Sequence, residues 1–149
     1  MKQQHGMTSI VKNTARLVSG FIAIFGVYVA LTGHLGPGGG FAGGVIVSSA
    51  GALIVLAFGR RLATKVITDE VVHVADALGA SLFLLIAVLG FLTGAFFASF
   101  IPVGDLGHLK SAGTIPLSNL AILVKVGAGL LGAFLALSAF RLAGKEPSS

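Results

Sequence analysis

The sequence predicts an all-α integral membrane protein with four transmembrane helices and both termini in the cytoplasm. Hydrophobic residues make up 55% of the 149 residues and charged residues only 10%, and the mean hydropathy is +0.99. A soluble domain of this size needs a mostly polar surface, which this composition does not supply. The placement of the basic residues predicts the topology. We therefore expect residues 1–149 to form a single membrane domain.

Four apolar segments are long enough to cross a hydrocarbon core, which takes about 17–25 helical residues. We predict spans at approximately 15–33, 41–59, 77–101 and 116–140. Within the fourth span the apolar run is interrupted by one charged residue, Lys125. The segment 60–76 is amphipathic and lies between the second and third spans.

Basic residues are concentrated on one side of the predicted spans. They precede the first span and follow the second and the fourth: Lys2, Lys12, Arg16, Arg60, Arg61, Lys65, Arg141 and Lys145. The loop after the first span has no Lys or Arg, and the loop after the third has only Lys110. The positive-inside rule then places both termini and the 60–76 segment in the cytoplasm. The net charge of +5 is thus explained by topology, and no nucleic-acid partner is expected.

Residues 37–44, with the sequence Pro-Gly-Gly-Gly-Phe-Ala-Gly-Gly, join the first span to the second. A turn this short forces the two spans into an antiparallel hairpin. Small residues allow helices to approach closely, and such packing drives helix association in lipid. We predict a helix-packing or subunit-interface role for Pro37, Gly38, Gly39, Gly40, Phe41, Gly43, Gly44 and Gly51, and for Gly90 and Gly94 in the third span. Four helices cannot easily use all these faces on each other, so we expect neighbouring subunits.

The third and fourth spans have recognisable boundaries. Thr68 or Asp69 can cap a helix whose first turn is acidic, as the helix dipole favours. If that helix continues to Ile101, it has about 33 residues and a length of ~50 Å, and Pro102 ends it. Pro116 occupies the first turn of the fourth span, a position that proline favours.

Lys125 is the strongest single functional signal. A lysine near the bilayer centre costs about 2.5–3.5 kcal/mol on insertion scales, so this side chain should face protein or water. It can belong to an ion or proton pathway, or it can pair structurally or reach toward the interface. We expect no acidic partner at membrane depth in this chain, because Asp69, Glu70 and Asp76 lie at the predicted cytoplasmic rim and Asp105 lies in a loop. Other polypeptides should then supply the rest of any pathway.

Two further groups of ionisable residues are candidates. Asp69, His73 and Asp76 fall at i, i+4 and i+7 on one helix face, with Glu70 beside them, which suits cytoplasmic access for cations or protons. A solvated helix end is the alternative. His34 precedes the glycine turn and can orient it, carry protons, or be a plain interfacial histidine. No metal site, cofactor or catalytic activity is expected in this chain, which contains no Cys.

The run Gly33-His34-Leu35-Gly36-Pro37-Gly38-Gly39-Gly40-Phe41-Ala42-Gly43-Gly44 resembles the signature of the MnhB/MrpB family. These proteins are small subunits of the multisubunit Na⁺/H⁺ antiporters called Mrp or Mnh. The same subunit type occurs in the antiporter-like module of membrane-bound hydrogenases and related archaeal respiratory complexes. The resemblance implies a multi-pass protein of a prokaryotic cell membrane, with other membrane subunits as partners and Na⁺ and H⁺ as transported ions.

The resemblance also has one departure. Antiporter members of the family tend to have an acidic residue where this chain has Lys125, so a cation-site role does not transfer directly to this position. The departure points toward a divergent branch such as the hydrogenase-type complexes. Two alternatives to a subunit that supports ion translocation stay open: a self-sufficient channel or transporter acting as a homo-oligomer, and a purely structural scaffold.

Overall fold

The computed structural model describes residues 7–65, 67–105, 107–108 and 111–143, and the side chains of residue 61 and residues 140–143 lie outside the description. Lys2, Lys110 and Lys145, which the topology prediction used, lie outside these ranges. The described part is all-helical, with α1 (Ser9–Leu31), α2 (Gly40–Phe58), α3 (Arg60–Ala63), α4 (Asp69–Leu89), a 3-10 turn (Gly90–Thr93) and α5 (Ile115–Ala143). Within it, four helices are long and apolar enough to cross a membrane. The prediction of four transmembrane helices is confirmed.

The helices pack in the order α1, α2, α5, α4, with a smaller contact between α1 and α5. The first two form the antiparallel hairpin that their short connection requires. Gly40 lies against Asn119 and Gly51 against Leu131, so α2 and α5 run parallel. We call the end formed by residues 32–39, 94–105, 107–108 and 111–114 the turn end. The opposite end, formed by residues 59–65 and 67–68, the start of α1 and the end of α5, is the basic end.

α4 ends earlier than the sequence predicts. The helix does not continue to Ile101, because Gly94 adopts a φ of +114°, a left-handed conformation that terminates helices and favours glycine. The chain then folds back over the end of α4, where the Phe97 N–H donates to the Ala87 carbonyl at 3.2 Å. The ring of Phe97 packs against Phe83 with centroids 5.2 Å apart. The apolar residues after Gly94 thus cover the helix end instead of extending the span.

Gly90 and Gly94 therefore do not form a helix-packing face in α4. A Cβ at Gly90 would lie 2.6 Å from the Ala98 nitrogen and 2.7 Å from the Phe97 nitrogen, so this glycine packs against its own loop. A Cβ at Gly94 would have no heavy atom within 4 Å. α4 ends at Leu89, before both glycines, so the spacing of four residues does not place the two on one face.

Candidate functional site

An ion pair between α4 and α5 is the main polar feature of the described membrane-spanning segments. The Lys125 Nζ donates to both carboxylate oxygens of Asp76, each at 2.7 Å. Hydrogen bonds between ionised groups are shorter and stronger than those between neutral groups. The pair joins two helices that are far apart in sequence, and it gives α4 a specific ionic anchor on α5.

Glycines on both helices allow the pair to form. A Cβ at Gly79 of α4 would lie 2.5 Å from the backbone nitrogen of Lys125 and 2.8 Å from the Lys125 Cα. The backbone of α4 therefore passes directly over Lys125. A Cβ at Gly129 of α5 would lie 3.1 Å from the Asp76 Oδ1. Since Asp76 and Gly79 are one turn apart, and so are Lys125 and Gly129, each charge lies opposite a glycine of the other helix.

The pair lies deep in the apolar region. Lys125 follows the start of α5 by about ten residues, or ~15 Å, which is half the thickness of a typical hydrocarbon core. The expectation that this chain supplies no acidic partner at that depth is wrong. The predicted third span, 77–101, begins too far along the chain and therefore leaves Asp76 at the cytoplasmic rim. In the structure α4 begins at Asp69, so Asp76 lies two turns inside the helix.

Both side chains of the ion pair are partly exposed on the surface of the chain. The side chain of Lys125 is 45% exposed and that of Asp76 is 32% exposed. Lys125 has three N–H donors, and the two carboxylate oxygens of Asp76 accept two of them. The pair is therefore a shared feature of α4 and α5 that also faces away from the bundle.

A small cavity lies between the pair and the basic end. Its volume is about 280 Å³, and its lining residues are Arg60, Asp69, Val72, His73, Gly132 and Ala136. We call it the vestibule. Two of its lining residues form an ion pair, in which the Arg60 guanidinium lies 4.0 Å from the Asp69 carboxylate. The predicted face of Asp69, His73 and Asp76 thus runs from the vestibule toward Lys125, and Glu70 is exposed beside it.

The turn end contains the second histidine site that the sequence singled out. His34 Nε2 lies 3.3 Å from the His108 carbonyl oxygen, which ties the glycine turn to the loop before α5. Its Nδ1 is buried without a hydrogen-bond partner among the described residues. His34 is far along the bundle from Asp76 and Lys125, so the structure does not bring it together with them.

The glycine turn is used for packing inside the chain. Gly38 and Gly39 have φ values of +145° and +122°, which only glycine adopts readily. In α2, Gly43 faces α1, where a Cβ would lie 2.9 Å from that of Ala30. Gly44 faces α5, where a Cβ would lie 2.7 Å from that of Val126.

The remaining residues of this predicted set divide into internal and exposed positions. Gly40 and Gly51 contact α5, so these two glycines also serve helix packing within one chain and not a neighbouring subunit. Pro37 and Phe41 are exposed, and Phe41 retains 67% of its accessible surface. Any subunit-interface role in this region therefore remains a prediction for Pro37 and Phe41.

Sequence reasoning missed three residues that shape these sites. Gly79 and Gly129 bring the charged pair together, and Asn119 lies under the glycine turn beside Gly39 and Gly40. The signal for the first two was present, because a glycine follows Asp76 by three residues and Lys125 by four. Among the described residues, no group of three or more His, Cys, Asp or Glu side chains could hold a metal ion.

Comparisons with known proteins agree with the resemblance in the glycine segment. A family model described as a domain related to the MnhB subunit of Na⁺/H⁺ antiporter matches residues 10–132. A Na⁺/H⁺ antiporter subunit of Bacillus subtilis is 37% identical over 97 residues, covering 65% of this chain and 67% of the relative. An uncharacterized protein of Methanocaldococcus jannaschii is 34% identical over 138 residues, covering 88% of this chain and 52% of the relative.

A solved structure has the same fold. It is a chain of the membrane-bound sulfane sulfur reductase, an archaeal respiratory membrane complex, with a TM-score of 0.71 and 30% identity. The match covers 91% of this chain and 59% of that chain. The present chain thus spans little more than half the length of this neighbour and of the M. jannaschii relative.

Proposed function

Because the chain belongs to the MnhB family, and is a multi-pass membrane protein of a prokaryote, we propose that it is a non-catalytic subunit of a cation- and proton-translocating complex. The complex is a multisubunit Na⁺/H⁺ antiporter or the antiporter-like module of a redox-driven respiratory complex. The antiporter assignment is supported by the family and by the relative from B. subtilis. The respiratory assignment is supported by the archaeal structural neighbour.

The ion pair of Lys125 and Asp76 carries the proposed role in translocation. A charged pair at membrane depth is costly to maintain, and intramembrane ionisable residues mark ion pathways more often than they serve stability alone. The partial exposure of both side chains leaves the pair accessible from outside the bundle. The pair is therefore suited to be one element of a pathway that continues on other subunits.

The vestibule provides a route of access to this pair. It lies on the side of the pair toward the basic end, which the positive-inside rule assigns to the cytoplasm. Arg60, Asp69 and His73 line it, and Gly129, which lies against Asp76, is one turn from the vestibule-lining Gly132 in the direction of the turn end. Water and small cations can thus approach Asp76 along a polar face about two turns long.

The chemistry of the pair suggests how it acts. A carboxylate can accept hydrogen bonds from the lysine ammonium or coordinate Na⁺, and the two cations compete for the same oxygens. When a cation occupies Asp76, the Lys125 ammonium needs another acceptor, which in this proposal lies on a partner subunit. The lysine side chain is flexible enough to move between two such positions. Cation binding at Asp76 is thereby coupled to the contact between Lys125 and the partner subunit.

Transport by the intact complex tests this role. In inverted membrane vesicles, Lys125→Met and Asp76→Asn should each reduce Na⁺-dependent proton movement by about tenfold or more, a barrier change above about 1.4 kcal/mol. Co-purification of the other subunits should persist in both variants. Lys65→Met is the matched control, because it removes an exposed lysine outside the pair, and it should leave transport unchanged.

Other outcomes assign the chain differently. Normal transport in both variants would make the chain a structural scaffold. Ion flux through vesicles reconstituted with this chain alone would support the self-sufficient homo-oligomer. Co-purifying subunits decide between the two types of complex, because iron–sulfur proteins indicate the redox-driven one.

A further inference from the structure

We propose that the outward face of α4 and α5 beside the ion pair docks a transmembrane helix of a different subunit, and that this helix presents a hydrogen-bond acceptor at the depth of Lys125. The inference rests on the proposed function, because it assumes assembly into a complex. We call this surface the open seam. Its exposed members are Lys125, Gly129, Ala133 and Ala136 on α5 and His73 and Ala80 on α4, with the partly exposed Asp76 between them.

The charge on the open seam excludes lipid as its natural cover. Lys125 is 45% exposed at membrane depth, and acyl chains offer no acceptor for its remaining N–H donor. Lys125 lies near the middle of the span, so its side chain would have to extend far to reach the headgroups. A protein helix with a carboxylate, amide or hydroxyl group at this depth satisfies the donor directly.

The shape of the open seam fits a closely packed helix. Lys125, Gly129 and Ala133 follow one another at intervals of four residues, so they form one stripe of α5. Small side chains allow two helix backbones to approach, and close approach favours hydrogen bonds between helices in membranes. Ala80 and Ala136 extend the small surface on both sides of the ion pair.

The opposite side of the bundle has different chemistry. The outward face of α1 exposes large apolar side chains, among them Leu17, Phe21 and Ile24, which are 65–70% exposed. These residues are suited to contact with acyl chains. The two faces of one chain therefore predict two environments, lipid at α1 and protein at the open seam.

The absence of cysteine from the sequence allows a direct test by single-cysteine cross-linking in the intact complex. Ala133→Cys places a thiol on the open seam, and Gly20→Cys places one on α1, where a Cβ would have no heavy atom within 4 Å. Both variants are labelled in native membranes with benzophenone-4-maleimide and irradiated. Mass spectrometry of the purified complex then identifies the cross-linked residues.

Ala133→Cys should cross-link to a membrane-spanning segment of another subunit, within one helical turn of a side chain that can accept a hydrogen bond. Gly20→Cys should give lipid adducts. In the double background Lys125→Met and Asp76→Leu, the cross-link from Ala133→Cys should fall by about tenfold, as expected for loss of a hydrogen bond to a charged group. Lys65→Met should leave its yield unchanged.

Lipid adducts at Ala133→Cys, a product joining two copies of this chain, or a purely apolar partner segment would each overturn the inference. So would equal cross-linking of the same partner from both cysteine positions. The result is separable from the transport test. A specific cross-link with unimpaired transport in Lys125→Met rejects the proposed role in translocation and keeps the docking surface, whereas the converse pattern rejects only the docking surface.

Discussion

The two sides of α5 make equally close contacts with very different chemistry. Toward α2, the contacts are formed by Gly40 and Gly44 against apolar and backbone atoms. Toward α4, Gly79 lies just as close to the α5 backbone, but the contact is completed by the ion pair of Lys125 and Asp76. Close packing alone is sufficient on the first side, whereas the second side adds a charged pair that partly faces outward.

The difference indicates that glycine has two uses in this fold. The hydrophobic effect does not drive helix association within lipid. On the α2 side glycine instead allows close van der Waals contact between the helices. On the α4 side it brings two helices near enough for a lysine and a carboxylate to meet at membrane depth. Substitutions on the two sides should therefore differ in their consequences, and the largest effect is expected where α4 meets α5.

Gly79→Leu should have the largest effect. The Cβ of the new side chain would lie 2.5 Å from the backbone nitrogen of Lys125, and a helix backbone cannot move aside as a side chain can. Separation of α4 from α5 should destabilise the protein by about 3–5 kcal/mol, the range of severe core substitutions. Thermal unfolding in mild detergent measures the change. Gly20→Leu is the control, and a similar loss there would show that bulk alone is responsible.

The ion pair should show strong coupling in a double-mutant cycle. Lys125→Met alone leaves Asp76 without its partner and should cost about 2 kcal/mol, less than for a fully buried pair because both side chains are partly exposed. Asp76→Leu alone should cost a similar amount, whereas the double variant should recover much of the loss. Unfolding of all four proteins in the same detergent gives the coupling. Additive losses would contradict a direct interaction between the two residues.

Gly44→Ala should lower the stability of the protein and leave its transport activity unchanged. Its Cβ would lie 2.7 Å from that of Val126 and 3.0 Å from the Leu123 carbonyl, so we expect a loss of about 1–2 kcal/mol from overpacking. Transport per assembled complex should remain normal, because among the described residues no ion pair joins this side of α5 to α2. Gly79→Ala should reduce both quantities. A transport defect in Gly44→Ala at normal assembly would remove the distinction between the two sides.

Gly127→Ala and Gly129→Ala form a matched pair with the smallest effects. At Gly127 the nearest atom would be the Gly44 carbonyl at 3.5 Å, an ordinary contact, so alanine should be neutral or stabilising by up to about 1 kcal/mol. At Gly129 the Cβ would lie 3.1 Å from the Asp76 Oδ1, and the carboxylate must shift slightly. We expect a transport defect only in Gly129→Ala. Equal transport in both variants would mean that the exact position of Asp76 is unimportant.

Much of the fold could be predicted from hydropathy. The two errors, in the end of the third span and in the position of Asp76, have a common cause. An apolar run shows that a segment avoids water and not where its helix ends. The apolar run therefore predicts a third span that continues past Gly94, although the residues there cover the end of α4. The same error shifts the predicted span along the chain and leaves Asp76 at the rim, so the sequence does not identify the partner of Lys125.

The sequence by itself determined the membrane class, the four helices, the glycine hairpin and the family, because each depends on local composition or on a contiguous motif. It also singled out Lys125, since a lone charge in an apolar run is costly wherever the helix packs. Only the tertiary structure decided that Asp76 meets Lys125, that the glycines of α2 pack within the chain, and that the ion pair partly faces outward. These facts depend on how α4 and α5 are aligned, and that alignment is set by contacts between residues about fifty positions apart in the chain.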